Sequence, residues 1–205
     1  HKMSRMTGTP LPNKATCPNV VKCPTVISMV GLPARGKTYM SKKLSRYLNW
    51  IGIKTKAFNV GEYRRSVTTL KSHDFFRADN KEAQEIRQKC AIMAVEDACN
   101  YLQSGGEVAV LDATNTTRER RKLLVDLIKG KHKFKIFFVE SICDDPTIIE
   151  ANIVEVKVCS PDYEGMDKNS AVKDFLQRID HYNEHYETLE HEKDKDLSYI
   201  QIFNQ

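Results

Sequence analysis

Thr25-Val-Ile-Ser-Met-Val-Gly31-Leu-Pro-Ala-Arg-Gly36-Lys37-Thr38 sets an apolar run, a glycine-bounded loop and a lysine–hydroxyl pair in immediate succession. The first six residues predict a buried strand, and Thr38 to Trp50 reads as the helix that follows the loop. From Gly31 the residues fit G-x-x-x-x-G-K-[ST], whose physics is that of an anion cradle. Glycines at both ends let the backbone curl, successive N–H groups turn inward, and the helix adds the positive end of its dipole. Lys37 is placed to reach the β- and γ-phosphates of a nucleotide, and the Thr38 hydroxyl to hold Mg²⁺.

Outward from this stretch, short apolar runs alternate with longer amphipathic ones. Strands are expected over 25–30, 55–60, 107–112, 133–139 and 198–203, and helices over 38–51, 80–103, 117–129, 146–157 and 169–189. Strands apolar on both faces, such as Val108-Ala-Val-Leu111, imply a mainly parallel sheet covered by helices on each side. The expected class is therefore α/β, a P-loop NTPase-type three-layer fold over residues 24–205. Residues 1–23, with Pro10, Pro12, Pro18 and Gly8, read as a mobile or surface-packed arm. Asp145-Pro146 predicts a capped helix start, and Gly52 and Gly130 are expected to close their helices.

Composition narrows the classes. The 205 residues are 40% hydrophobic and 29% charged, which suits one good core. No apolar run approaches the roughly 20 residues of a membrane span, and no signal-peptide pattern opens the chain. The six cysteines form no C-x-x-C pair, so a cytoplasmic protein is expected, without a membrane partner. A net charge of +5 is spread rather than gathered in a basic block with aromatics, which argues against nucleic acid and suits small phosphorylated ligands. A homodimer is left open.

Ligands of such sheets bind beyond the carboxyl ends of the strands, and chemistry-bearing residues follow those ends. Glu107-Val-Ala-Val-Leu-Asp112 ends an apolar strand in a carboxylate suited to Mg²⁺ or an attacking hydroxyl. Arg118, Arg120 and Arg121 then start a helix, where the dipole disfavours cations, so a phosphate or carboxylate partner is implied for some of them. Arg64 and Arg65 follow the second strand, and Arg87 can join them from the next helix. Cys143 lies after the fourth strand, where Asp144 and Asp145 oppose thiolate formation and packing is the better reading. Lys157 is a candidate second cation for a transferring phosphoryl group. His181 and His185 have metal-ligand spacing but no accompanying acidic or cysteine pattern.

The stretches Val30 to Tyr39, Tyr47 to Gly52, Phe58 to Arg65, Asp112 to Arg121, Cys143 to Thr147, Ser160 to Tyr163 and Arg178 to Tyr182 resemble the kinase half of the 6-phosphofructo-2-kinase/fructose-2,6-bisphosphatase family. The resemblance runs from about Pro24 to Ile202. It implies ATP with Mg²⁺ as donor and fructose 6-phosphate as acceptor, with the 2-hydroxyl attacking to give fructose 2,6-bisphosphate. The family's nucleotide contacts fall on Gly31, Leu32, Pro33, Ala34, Arg35, Gly36, Lys37, Thr38 and Tyr39, and on Asn152, Glu155 and Lys157. Its sugar-phosphate contacts fall on Arg64, Arg87, Thr114, Arg120, Arg178 and Tyr182, with Lys157 shared. Lys37, Asp112, Lys157 and Cys143 match its catalytic positions, and the local chemistry supports Asp112 better than Cys143. The family's phosphatase domain carries an Arg-His-Gly motif that this sequence lacks. An excised or naturally kinase-only domain is therefore expected, without phosphatase activity. Among competitors, a 5′-hydroxyl polynucleotide kinase also suits Asp-x-Thr-Asn followed by arginines. A GTPase-type switch is weaker, because no Asn-Lys-x-Asp guanine motif is present.

Overall fold

Five strands form one all-parallel sheet in the computed structural model, which describes residues 23–69, 72–154 and 160–204. The expected arm over residues 1–23 lies, apart from Cys23, outside the described residues. In chain order the elements are β1 (Thr25–Val30), α1 (Lys37–Trp50), β2 (Thr55–Asn59), α2 (Val60–Val67), α3 (Lys81–Gln103), β3 (Val108–Asp112), α4 (Arg118–Val125), β4 (Lys135–Ile142), α5 (Pro146–Asn152), α6 (Lys168–Asn183) and β5 (Tyr199–Phe203). The strand order is β2-β3-β1-β4-β5. β1 is central, with Thr25 facing Val108 on one side and Lys135 on the other. The carboxyl ends of all five strands therefore open on one edge, where the phosphate loop begins.

Each sheet face has its own cover. Met29, Val110 and Val139 pack against Met40 and Leu44 of α1. On the opposite face Val26, Val30, Phe58, Leu111 and Phe138 meet Ala94, Val95, Ala98, Cys99 and Leu102 of α3, together with Leu124 of α4. Small residues along α3 let it lie close to the sheet. Burying a side chain such as Leu124 contributes about 1.5–3 kcal/mol. A third cluster, Ala34, Ile153, Tyr163, Ala171, Phe175 and Ile179, sets α6 against the phosphate loop and the end of α5.

Several boundaries differ from expectation for physical reasons. β2 stops at Asn59 because the Asn59 side chain accepts from Gly61 N at 2.8 Å and caps α2, a helix the apolar pattern did not announce. β4 runs to Ile142, past the charged Glu140 at which the pattern breaks. Glu140 is completely buried and accepts from Tyr186 Oη, Thr188 Oγ1 at 3.1 Å, Leu189 N at 3.2 Å and Gln201 Nε2 at 2.7 Å. That acceptor draws residues 186–189, an irregular segment, against β4, which is why α6 ends at Asn183 and not near 189. Gly130 does not close a helix. It sits within a wider π-turn, Asp126–Lys131, and Lys133 takes the left-handed conformation instead, with φ 62°. Gly52, with φ 84°, does follow α1 in that conformation. Asp145 caps α5 through Thr147 N at 2.9 Å, ahead of Pro146.

Removing the Glu140 acceptor strands several buried donors at once. Glu140→Ala is expected to cost about 3 kcal/mol by urea denaturation, and Glu140→Gln less, since the amide oxygen still accepts.

Candidate active site

The phosphate loop is shaped from three sides. Gly31 has φ 134°, and a Cβ there would lie 2.5 Å from the Ser141 carbonyl oxygen, so only glycine fits between β1 and β4. Its N–H donates to Thr114 O at 2.9 Å. Ser141 Oγ donates to Arg35 O, Asn152 Nδ2 donates to Ala34 O at 3.1 Å, and Arg35 Nη1 returns to Pro33 O at 3.0 Å. Gly36, left-handed at φ 75°, starts α1, whose first turn carries no acidic residue. The helix dipole thus faces the loop without a competing carboxylate. Lys37 is only 7% exposed, and its ammonium donates to Leu32 O.

Asp112 ends β3 beside this loop. Its Oδ2 accepts from Asn59 Nδ2 at 2.7 Å, while Oδ1 meets no side-chain donor among the described residues. Asn115, left-handed at φ 43°, donates through Nδ2 to Ser28 Oγ at 3.0 Å and Met29 O at 2.9 Å. Those bonds pin the loop after β3 against β1, holding Thr114 and Asp112 over the cradle. Thr38 and Asp112 line the same cavity and present a hydroxyl and a carboxylate, the hard oxygen donors that suit Mg²⁺.

Across the cavity, of about 1570 Å³, arginines from four helices, α2, α3, α4 and α6, converge. Arg64 of α2 meets Asp162 with Nη2 at 2.6 and 2.5 Å from the two carboxylate oxygens. Arg178 Nη1 of α6 lies 3.3 Å and Arg65 Nη1 3.8 Å from the same group. Burial pushes the Asp162 carboxyl up, but Arg64, Arg178 and Arg65 outweigh it and hold it below the usual range. Arg178 stacks on Phe76, its guanidinium carbon 3.8 Å from the ring centroid, and its Nε is buried without an acceptor among the described residues. Arg87 donates to Phe76 O, and Arg120 Nη1 to Arg87 O at 3.3 Å. Tyr182 is hydrogen-bonded to Thr114, and although burial works against ionisation, Arg178, Arg87 and that bond pull its phenol below the ordinary value.

Pro33 to Tyr39, Arg64, Arg65, Arg87, Asp112, Thr114, Arg120, Asn152, Arg178 and Tyr182 therefore share one cavity. Arg118, His181 and His185 also line it, each with a partner of its own, and the remaining expected residues stand elsewhere. Gly31 and Leu32 support the loop from beneath. Cys143 is 2% exposed and does not line the cavity, so its placement is that of a packing residue. Arg118 binds Glu187 at 3.1 Å and Glu190 at 2.9 Å. Arg121, 1% exposed, donates to Asn115 O and Glu187 O, so both arginines fasten the 187–194 segment while Arg120 alone of the three turns to the arginine cluster. His185 is exposed beside Glu184, and His181 pairs with His73. Glu155 and Lys157 lie outside the described residues. Asp162 and Asn59 had received no role from the sequence. Their signals were Ser160-Pro-Asp162 at a helical turn and Asn59-Val-Gly-Glu62, a capping-box spacing.

No helix among the described residues is long and apolar enough to cross a membrane. The fold resembles solved P-loop structures. Kti12 of Chaetomium thermophilum, in complex with ADP-AlF3, matches with a TM-score of 0.57 at 15% identity over 87% of this chain and 88% of that one. A bullfrog (Aquarana catesbeiana) 6-phosphofructo-2-kinase/fructose-2,6-bisphosphatase is 56% identical over 93% of this chain and 41% of its own length. The human 6-phosphofructo-2-kinase/fructose-2,6-bisphosphatase 3 is 54% identical over 91% of this chain and 36% of its own. The chain thus spans about two fifths of the length of these relatives. The family model for 6-phosphofructo-2-kinase matches residues 12–205, and with the phosphate loop, Asp112 and the arginine cluster on one cavity, the chain belongs to the 6-phosphofructo-2-kinase family.

Proposed function

We propose that this chain transfers the γ-phosphoryl group of ATP to the 2-hydroxyl of fructose 6-phosphate, giving fructose 2,6-bisphosphate. The observation that carries the reading is a triphosphate-type cradle and a guanidinium cluster facing one cavity, with Asp112 at the cradle. Two anionic groups are accommodated, one at each side, and the transferable phosphoryl lies between them.

The loop N–H groups and the α1 dipole bind the nucleotide phosphates, and Lys37 turns from Leu32 O to the β/γ oxygens. Thr38 and Asp112 would hold Mg²⁺, which when bound would neutralise charge on the nucleotide phosphates. Arg64, Arg65 and Arg178 share the Asp162 carboxylate, and together with Arg87 and Arg120 they present a guanidinium cluster that suits the dianion of a sugar 6-phosphate. Tyr182 and Thr114, already bonded to each other, orient the sugar hydroxyls. Charge-assisted bonds fix the acceptor in place, so catalysis consists of positioning and electrostatics with no covalent enzyme intermediate. We infer a cytoplasmic setting, in keeping with the free thiols of Cys23, Cys90, Cys99 and Cys143.

The direct test mixes the chain with MgATP and either fructose 6-phosphate or a 5′-hydroxyl oligonucleotide, and identifies the product by mass and position. Phosphate at the sugar 2-hydroxyl is expected. Transfer to the oligonucleotide alone, or to neither acceptor, would overturn the reading. Arg178→Ala should raise KM for fructose 6-phosphate about a hundredfold, in keeping with loss of charge-assisted bonds worth a few kcal/mol, and leave KM for ATP nearly unchanged.

A further inference from the structure

The turn His73–Phe76 is joined to α6 by an imidazole pair that the proposed transfer does not use. His73 Nδ1 lies 3.1 Å from His181 Nε2, with ring centroids 5.3 Å apart and planes inclined by 27°. The His73 backbone N–H donates to Asp174 Oδ1 at 3.0 Å, and Asp174 is held from its other oxygen by Tyr163 Oη at 2.8 Å. What this docking positions is Phe76. Its ring lies under Arg178 and 5.6 Å from that of Tyr182, and its carbonyl accepts from Arg87 Nη1 at 3.4 Å. Three residues of the proposed sugar-phosphate grip thus rest on the turn.

A nitrogen-to-nitrogen contact between imidazoles needs one donor and one lone pair. It holds when both rings are neutral or when they share one added proton. With both rings protonated, two N–H groups face each other between two cations, and the contact fails. The charges around the pair do not replace it. On the turn, Asp74 Oδ1 is 3.8 Å from His73 Nδ1, beyond hydrogen-bond reach, and 3.7 Å from Arg77. Asp79, after the turn, feels the His181 charge but is bound to Arg77 at 2.6 Å. From α6, Asp174 is already engaged, Arg178 adds positive charge one turn before His181, and the exposed Glu184 faces His185 at 3.9 Å.

Resting on the sugar-phosphate reading of this cavity, we propose that His73 and His181 form a positioning pair. The pair docks the 73–76 turn on α6, sets the grip on the acceptor phosphate, and releases it when both imidazoles are protonated.

The acceptor's own phosphate titrates near pH 6, so the test compares the chain with His73→Asn. The asparagine amide, attached to Cγ as Nδ1 is, can donate to a neutral His181 or accept from a protonated one, and so keeps the contact in both states. Between pH 7.5 and 6.0, KM for fructose 6-phosphate is expected to rise about tenfold more in the unmodified chain than in His73→Asn, with KM for ATP moving in parallel in the two. Superimposable KM profiles for the sugar would overturn the proposal. A second readout needs no activity: amide hydrogen exchange over residues 73–77, corrected for the intrinsic pH dependence. Protection in the unmodified chain should fall about tenfold over the same range and stay level in His73→Asn. Protection that ignores pH in the unmodified chain sinks the pair whatever the kinetics. Pair-dependent exchange without any transfer to fructose 6-phosphate sustains the docking and removes only the sugar reading.

Discussion

Lys37→Met is expected to lower kcat for phosphoryl transfer about a thousandfold, roughly 4 kcal/mol of transition-state stabilisation, while the melting temperature moves by only a few degrees. Methionine keeps an unbranched stem of similar length, so the packing around this 7% exposed side chain survives and the ammonium alone is lost. In the structure that ammonium donates to Leu32 O, a carbonyl of its own loop, from which it can turn to substrate phosphate. The first turn of α1 carries no acid. The value of the positive charge appears where charge spreads over the transferring oxygens. Steady-state product formation and a thermal melt on the same preparation check both halves. Turnover near that of the unmodified chain would remove the cradle from the mechanism.

How much of this was legible in the sequence follows from which forces are local. The phosphate loop was legible because strand, glycines, lysine and helix are contiguous, and each residue type answers to backbone geometry within a few positions. Asp145-Pro146 was legible for the same reason. α2 was not, because its eight residues carry too short an apolar pattern to read, and its start is announced only by the Asn59 and Glu62 spacing. The end of β4 was misread at Glu140, where a charged residue breaks an apolar run. Its burial is permitted by Tyr186, Thr188, Leu189 and Gln201, partners 46 to 61 residues away. The same remote acceptor shortened α6. For the arginines after Asp112, the helix-start argument correctly demanded anionic partners, but only the fold could show that Arg118 finds Glu187 and Glu190 while Arg120 turns to Arg87 in the arginine cluster. Asp162 illustrates the limit. An aspartate in a proline turn signals the turn but not its ion pairs, which form only when Arg64, Arg65 and Arg178 close on it in the fold.

That convergence makes Arg64→Ala the largest expected stability effect among the cavity residues, a loss of about 3 kcal/mol at pH 7. Arg64 and Asp162 are 4% and 5% exposed, and their contact joins α2 to a turn 98 residues further along the chain. Truncating Arg64 removes two short charge-assisted bonds and leaves a carboxylate in a place water scarcely reaches. Arg178 at 3.3 Å and Arg65 at 3.8 Å still face it, which holds the cost at the low end for a broken buried pair. The double variant Arg64→Ala/Asp162→Ala should accordingly be more stable than the sum of the single losses predicts, by about 2 kcal/mol in a double-mutant cycle. Acid gives an independent check. Asp162 is held below the usual carboxylate range, so its ionisation contributes stability above the unfolded value near pH 4 and that contribution is lost as pH falls through the lower folded value. The Arg64→Ala penalty should shrink towards acid as the carboxylate takes up its proton. A penalty unchanged between pH 7 and pH 3, with no coupling in the cycle, would show that the arginine acts by packing on Phe75 and Phe76 and not by charge. If the coupling appears as expected, part of the positive charge at the acceptor site is already committed to Asp162, and the phosphate of the sugar binds to what that carboxylate leaves over.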